Sequence, residues 1–253
     1  MEIKPNNIYL GDCLELMKDI EDKSIDMILC DLPYGWGTTK NKWDSIIPLD
    51  KLWTQYKRII KENGSIVLSA QTPFDKVLGT SNLKMLKYEW IWEKTESTGF
   101  LNAKKMPLKK HENILVFYKK QPVYNPIYTE GKPYSYKKEN ISSSNYGMSN
   151  GTGLIVNNGK RCPTSIQVFK KDKGLHPTQK PVALFEYLIK TYTNEKGIVL
   201  DNCIGSGTTA VACINTDRNY IGFELEEEYF NIAKLRIDDA YLERGQMRIE
   251  DIF

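Results

Sequence analysis

A carboxylate, a restricted backbone and an aromatic ring stand together at Asp31-Leu32-Pro33-Tyr34. The tetrapeptide closes an apolar run, Ile25–Cys30, that reads as a strand buried on both faces. The carboxyl end of such a strand is where open α/β sheets place their ligands. Pro33 disfavours the α region for Leu32 and keeps the backbone extended, so the Asp31 side chain and the Leu32 carbonyl can face one space. Two acceptors side by side suit an amino group with two hydrogens. An aryl amine is a poor nucleophile because its lone pair is delocalised into the ring. Hydrogen bonds from both N–H groups, to Asp31 and to the Leu32 carbonyl, favour a pyramidal nitrogen with its lone pair available. Tyr34 adds a flat face on which an extruded base can stack. An Asp-x-Pro turn after a buried strand accounts for the same four residues, and the tetrapeptide alone does not choose.

A second constellation is Leu200-Asp201-Asn202-Cys203-Ile204-Gly205-Ser206-Gly207-Thr208-Thr209-Ala210. It follows a strand-like run, opens a helical one and fits G-x-G-x-x-A at Gly205, Gly207 and Ala210. Glycines there allow a tight turn and close approach of the backbone to a ligand. Glu224 lies 17 residues after Gly207 at the end of the next strand-like run, near the usual place of a carboxylate that accepts from ribose hydroxyls. No Walker lysine is present, so this is not a phosphate-binding P-loop. The set points to a nucleoside ligand and leaves NAD and S-adenosylmethionine both open; a tight strand–helix turn without a ligand explains the glycines alone.

These residues need an α/β scaffold, and the hydrophobic periodicity supplies one. Ile8–Leu10, Ile25–Cys30, Ser65–Ala70, Tyr88–Trp92, Ile114–Tyr118, Ile198–Leu200 and Tyr220–Phe223 read as strands. Helical patterns follow Cys13, span Leu49–Lys61, begin at Pro181 with Pro181 in the first turn, run over Gly207–Ile214 and cover Glu226–Leu242. From Asn140 to Gly159, 14 of 20 residues are Asn, Ser, Gly or Thr, too few apolar groups to order a segment by burial, so a mobile loop is expected there. Charge is uneven. Residues 100–175 hold 14 Lys and Arg against 4 Asp and Glu, a net of +10, whereas the remainder holds 21 against 28, a net of −7. A basic segment on an acidic body fits a polyanion partner; a lysine-rich solvated surface fits the charge equally well.

Composition excludes several classes. No apolar run approaches the ~18 residues of a membrane helix, and Met1–Leu10 has neither a basic stretch nor an apolar signal core, so a cytoplasmic protein without membrane contact is expected. The five cysteines show no Cys-x-x-Cys spacing and read as reduced thiols. With two histidines in the chain, no metal site is expected.

Taken in order, the motifs resemble those of amino-group DNA methyltransferases of the β arrangement, in which the catalytic motif precedes the cofactor motif. Asp31-Leu32-Pro33-Tyr34 resembles the family's Asp-Pro-Pro-Tyr, with Leu32 in place of the first proline. The Leu200–Thr209 segment resembles its cofactor glycine loop, and Gly222-Phe223-Glu224 its ribose-binding strand end. His176-Pro177-Thr178-Gln179-Lys180-Pro181 resembles the segment lining the methionine end of the cofactor, and Gly11-Asp12-Cys13-Leu14 the N-terminal segment whose Asp contacts the adenine. Asp12 is also placed to cap the helix that follows.

The resemblance covers nearly the whole chain outside about residues 121–170. It implies a circularly permuted class I S-adenosylmethionine-dependent methyltransferase fold, with a seven-stranded, mostly parallel sheet. The two halves of that domain would be residues 1–120 and 176–253, with a basic target-recognition insert at 121–175. The catalytic residues it implies are Asp31, Leu32, Pro33 and Tyr34. The implied cofactor residues are Asp12, Cys13, Asp31, His176, Thr178, Gln179, Lys180, Asp201, Asn202, Cys203, Gly205, Ser206, Gly207, Thr208, Glu224 and Leu225. The expected reaction is methyl transfer from S-adenosylmethionine to adenine N6 in double-stranded DNA, the leading Asp favouring adenine over cytosine N4 by family tendency. A homodimer and a restriction endonuclease partner stay open. Methylation of cytosine N4, or of RNA or protein amino groups, would use the same loops. A nicotinamide-dependent oxidoreductase would leave Asp31–Tyr34 unexplained, and a non-enzymatic DNA-binding module would leave both site loops idle.

Overall fold

The structure is a computed structural model that describes residues 2–35, 45–138, 141–143, 147–149, 153–172 and 179–245. It divides into two compact units, Met1–Asn125 with Ser165–Phe253, and Pro126–Thr164. The first part of the larger unit runs β1 (Asn7–Leu10), α1 (Cys13–Leu16), β2 (Ile25–Cys30), α2 (Leu49–Ile59), β3 (Ile60–Ala70), α3 (Phe74–Ser81), β4 (Leu86–Thr98) and β5 (Lys109–Phe117). The smaller unit holds β6 (Thr129–Glu130), β7 (Tyr134–Lys138), β8 (Ile141–Ser143), β9 (Gly147–Ser149), β10 (Gly153–Asn157) and β11 (Lys160–Arg161). The larger unit resumes with β12 (Ile166–Phe169), α4 (Val182–Tyr192), β13 (Ile198–Asp201), α5 (Thr208–Asn215), β14 (Asn219–Glu224) and α6 (Glu227–Glu243).

One sheet of order β1-β14-β13-β2-β3-β5-β4-β12 organises the larger unit. Every neighbouring pair is parallel except β3–β5 and β5–β4, so β5 alone runs against the rest. Strand β2 shows why the sheet is buried on both sides. Ile28 and Cys30 enter one core with Leu52, Tyr56, Phe74 and Phe223. Met27 and Leu29 enter the other with Trp92, Phe185, Tyr220 and Ile237. Successive strand residues point to opposite faces, and each fully buried side chain of this size stabilises by roughly 1.5–3 kcal/mol. Helix α2 presents Leu52, Trp53, Tyr56 and Ile59 to the first core. Its Asp50 in the first turn and Lys57 and Arg58 in the last suit the helix dipole. Pro181 is the N-cap of α4, with extended ψ of 132°, one position before the expected first-turn place.

Among the described residues the sheet has eight strands rather than seven. The extra strand, β12, falls in the span read from sequence as insert. It pairs in parallel with β4 from Ile166↔Ile91 to Phe169↔Lys94, and the Trp92 indole donates to the Phe169 carbonyl at 2.9 Å. Ile166 and Val168 are exposed on this edge strand, so no buried stripe marked it in the sequence.

The smaller unit is held differently. Strands β7 and β10 pair antiparallel, Tyr134↔Asn157 through Lys138↔Gly153, and Gly131 N donates to Gly159 O at 2.8 Å. The Arg161 guanidinium lies 4.7 Å from the Tyr134 ring centroid, and Tyr134 stacks on Tyr136. None of its described residues joins either hydrophobic core. Part of the expected mobile loop, Gly153–Asn157, is therefore a strand: a backbone ladder and aromatic contacts order it without burying a face.

Candidate active site

The fold brings the two motif loops together because β13 and β2 are neighbours, Val199↔Met27 and Leu200↔Ile28. Their carboxyl ends are Asp201 and Cys30, and each is followed by its loop. Strand β14 ends beside them in Glu224, and Gly11 N donates to the Glu224 carbonyl at 2.8 Å. A cavity of about 570 Å³ opens at this edge, within the usual size of a small-molecule site.

Of the described residues named from sequence, Asp12, Cys13, Asp31, Leu32, Pro33, Tyr34, Gln179, Lys180, Asp201, Asn202, Cys203, Gly205, Ser206, Thr208, Glu224 and Leu225 line this cavity. Gly207 does not. With φ of +86°, it packs where an added Cβ would meet Ala233 of α6 at 3.2 Å. His176 and Thr178 lie outside the described residues.

On the Gly205 side, Glu224 Oε2 accepts from Gly205 N at 2.8 Å, and Oε1 accepts from Leu225 N and Glu226 N, each at 2.9 Å. Burial pushes the Glu224 carboxyl up, against the three backbone amides that hold it down. Gly205 takes φ of +53°. Arg236 of α6 donates to Ser206 O at 2.6 Å and to Ser206 Oγ at 2.9 Å, which fastens the turn to the helix. Asp201 accepts from the Thr209 hydroxyl and from Cys203 N, and burial raises its carboxyl to about 6. Asp12 accepts from Leu14 N at 2.7 Å and Glu15 N at 3.3 Å as the cap of α1, while still lining the cavity. The Cys13 thiol is raised by its hydrogen bond with Cys203 and by burial, and burial pushes Cys30 up to about 12. These thiols stay neutral and are poor nucleophiles.

On the Asp31 side, the Tyr34 hydroxyl donates to Asp31 Oδ1 at 2.9 Å and stands 3.4 Å from Glu112 Oε2. Lys180 Nζ pairs with Asp31 Oδ2 and lies 3.3 Å from Glu112 Oε2. Lys94 pairs with Glu112 Oε1. Burial alone would raise the Glu112 carboxyl, but the Lys180 and Lys94 ammoniums bring it down to about 2. Burial, then the Asp31 and Glu112 charges, keep the Tyr34 phenol protonated. One face of Tyr34 stacks on Phe74, with centroids 5.4 Å apart.

Lys94, Glu112, Phe74 and Arg236 were not singled out from the sequence. A signal existed for two of them. Trp90, Trp92 and Lys94 continue one buried face at period two, as do Val116, Ile114 and Glu112 on the neighbouring strand. A charge on such a face requires a buried partner.

Comparison with known proteins agrees with this geometry. Residues 25–235 match the N6_N4_Mtase family model, described as DNA methylase. The chain is 30% identical to the type II methyltransferase M1.MboII of Moraxella bovis over 90% of this chain and 95% of that one. It is 29% identical to the DNA adenine methyltransferase YhdJ of Escherichia coli, over 92% and 83%. The crystal structure of the M1.HpyAVI–SAM complex superposes with a TM-score of 0.63 at 28% identity, covering 91% of this chain and 98% of that one. With the family model spanning both loops of the cavity, this chain belongs to the N6/N4 DNA methylase family, whose members methylate DNA with S-adenosylmethionine as donor.

Proposed function

We propose that the protein methylates adenine N6 at specific sites in double-stranded DNA. The observation that carries the reading is the placement of Asp31 and Leu32 in one cavity wall with the Gly205 turn and Glu224. The nucleoside wall fits the cofactor. Each carboxylate oxygen can accept about two hydrogen bonds, so Glu224 Oε2, with one bond from Gly205 N, keeps capacity for a ribose hydroxyl. Glu224, Asp12 and the Cys203–Ser206 turn would hold the nucleoside, and Gln179 and Lys180 line the wall towards Asp31. The bound cofactor supplies an electrophilic sulfonium methyl group. Asp31 and the Leu32 carbonyl accept the two N–H bonds of the target amine and keep its lone pair available. Tyr34, stacked on Phe74 and with Lys180 Nζ 5.6 Å from its ring centroid, lines the cavity where an extruded base would sit. Holding the two partners in line can supply roughly 7–11 kcal/mol of the barrier reduction.

Adenine is favoured by the leading Asp of the motif and by the similarity to YhdJ, which is named an adenine methyltransferase. The smaller unit, Pro126–Thr164, is assigned the reading of DNA sequence, on its exposed Tyr134, Tyr136, Lys132 and Lys137. The relatives named type II methyltransferases support a DNA-modification role, and a cytoplasmic location goes with a DNA substrate. Incubation with S-adenosylmethionine and unmodified bacterial DNA should give N6-methyladenine by mass spectrometry of digested nucleosides. In Asp31→Ala the rate should fall by about 10²-fold or more, the size of effect seen when one oriented transition-state hydrogen bond is removed. N4-methylcytosine as the sole product would overturn the base assignment, and near-normal turnover in Asp31→Ala would overturn the role of Asp31.

A further inference from the structure

We propose that Glu112, clamped by Lys94, is a positioning residue for Asp31: it shares the Lys180 ammonium and thereby sets how Lys180 holds the Asp31 carboxylate. This rests on the reading of Asp31 as the acceptor for the target amine and extends it to two strands that the catalytic motif does not include.

Asp31, Lys180, Glu112 and Tyr34 form a closed ring of contacts. Asp31 Oδ2 meets Lys180, Lys180 meets Glu112 Oε2 at 3.3 Å, Glu112 Oε2 lies 3.4 Å from the Tyr34 hydroxyl, and that hydroxyl returns to Asp31 Oδ1 at 2.9 Å. Lys94 fixes the remaining Glu112 oxygen. The side chains of Lys94, Lys180 and Glu112 are 4%, 7% and 11% exposed, against 25% for Asp31, so the network shows the cavity mainly its Asp31 end. Two ammoniums and two carboxylates balance. Removing either charge from such a buried group leaves the others uncompensated. Asp31 gives one contact to Lys180 and one to Tyr34, which leaves acceptor capacity on both oxygens for an amine. Without Glu112, Lys180 would have Asp31 as its sole carboxylate partner in this ring, and its ammonium would compete with the target amine for the same lone pairs.

The groups facing Lys180 are Asp31 and Tyr34 from the loop after β2, Glu112 and Lys109 from β5, and Lys171 from the segment before α4, with Lys94 of β4 on the other oxygen of Glu112. Burial pulls the Lys180 ammonium down, and the Asp31 and Glu112 carboxylates outweigh it. Glu112→Gln removes one of those carboxylates and leaves the like charges, so Lys180 should lose its proton at lower pH. Lys94→Met removes a like charge and frees Glu112 for Lys180, so the midpoint should move the other way.

The test measures tritiated methyl transfer from S-adenosylmethionine to unmethylated, whole-genome-amplified bacterial DNA, with kcat followed across pH. Glu112→Gln should lower kcat by about tenfold or more with little change in KM for DNA, and move the alkaline limb down by about one pH unit or more. Lys94→Met, which leaves Glu112 to Lys180, should move that limb up. A loss of kcat in both variants with the limb unmoved would assign the network a structural role and overturn the proposal; so would full activity in Glu112→Gln. Should Glu112→Gln not fold, the upward shift in Lys94→Met decides. Wild-type incorporation separately establishes the methyltransferase reading. If it is absent, that reading fails while NMR titration of 13C-labelled lysine still decides on Glu112, because an unchanged Lys180 midpoint in Glu112→Gln and in Lys94→Met would overturn its role without any DNA substrate.

Discussion

Asp201 shows how a single residue at the end of a central strand couples the site to stability. Both of its oxygens are engaged, by the Thr209 hydroxyl and the Cys203 amide, yet burial still raises its carboxyl from the ordinary 3.8 to about 6. A carboxyl raised on folding favours the folded state while protonated. That contribution is fully present below about pH 3.8 and is lost as the pH rises through about 6. Asp201→Asn cannot ionise, so its stability relative to the wild type should improve between pH 4 and pH 7, measured as urea midpoints at the two values. The same difference at both would mean that Asp201 is charged throughout. Leu32 is a second case at this scale. It replaces the proline expected by resemblance, and its side chain is 3% exposed in the first core. The loop is therefore anchored by packing where a second proline would have stiffened it, and the sequence alone gives no way to weigh one against the other.

At the scale of elements, the strand–turn–helix from β13 to α5 depends on two glycines with different duties. Gly205, at φ of +53°, has no atom within 4 Å of an added Cβ, whereas the Cβ of an alanine at Gly207 would press on the Ala233 backbone and side chain. A left-handed non-glycine residue costs roughly 1–2 kcal/mol, and overpacking adds roughly 1–3 kcal/mol. Gly207→Ala should thus be the more destabilising of the two in urea melts. Gly205→Ala should keep the fold and instead weaken S-adenosylhomocysteine binding by calorimetry, because its methyl group sits at the cavity wall. The reverse order of stabilities would sink this assignment of roles. The glycine pattern was visible in the sequence, but which glycine lines the cavity was not, because α6 arrives at Gly207 from a distant segment. Helix α3 went unread because eight residues with a glycine inside, Phe74–Ser81, carry too short a stripe for periodicity to register.

For the whole molecule, the charge map changes once the units are known. Of the net +10 in residues 100–175, Pro126–Thr164 holds five Lys and Arg against two Asp and Glu. The rest lies on the larger unit, including Lys104 and Lys105 in the turn between β4 and β5 and Lys171 in the cavity wall. Among the described residues, no helix is long and apolar enough to cross a membrane. If the smaller unit meets DNA through its exposed lysines, Lys132→Ala with Lys137→Ala should flatten the plot of log K against log salt by about 1.8, roughly 0.9 for each phosphate left without its lysine on duplex DNA. An unchanged slope in filter-binding titrations would make those lysines solvated surface and shift the DNA-binding face to the larger unit.

What the sequence determined by itself is what local pattern encodes. Short apolar runs placed β2, β13 and β14 within about a residue of their observed bounds, and helical patterns placed α2, α4, α5 and α6. Asp31–Tyr34, Gly205–Gly207 and Glu224 were legible because each punctuates the end of such a run. The tertiary structure alone decided what those ends meet. Pairing of β2 with β13, 172 positions apart at Met27↔Val199, sets Asp31 in one cavity with the Gly205 turn and Glu224. Pairing of β4 with β5 delivers Lys94 and Glu112 to Lys180. Edge strand β12 and the β7–β10 ribbon escaped notice for a related reason: their order comes from backbone hydrogen bonds to a partner strand, and a backbone bond leaves no trace in side-chain pattern unless a face is buried along with it.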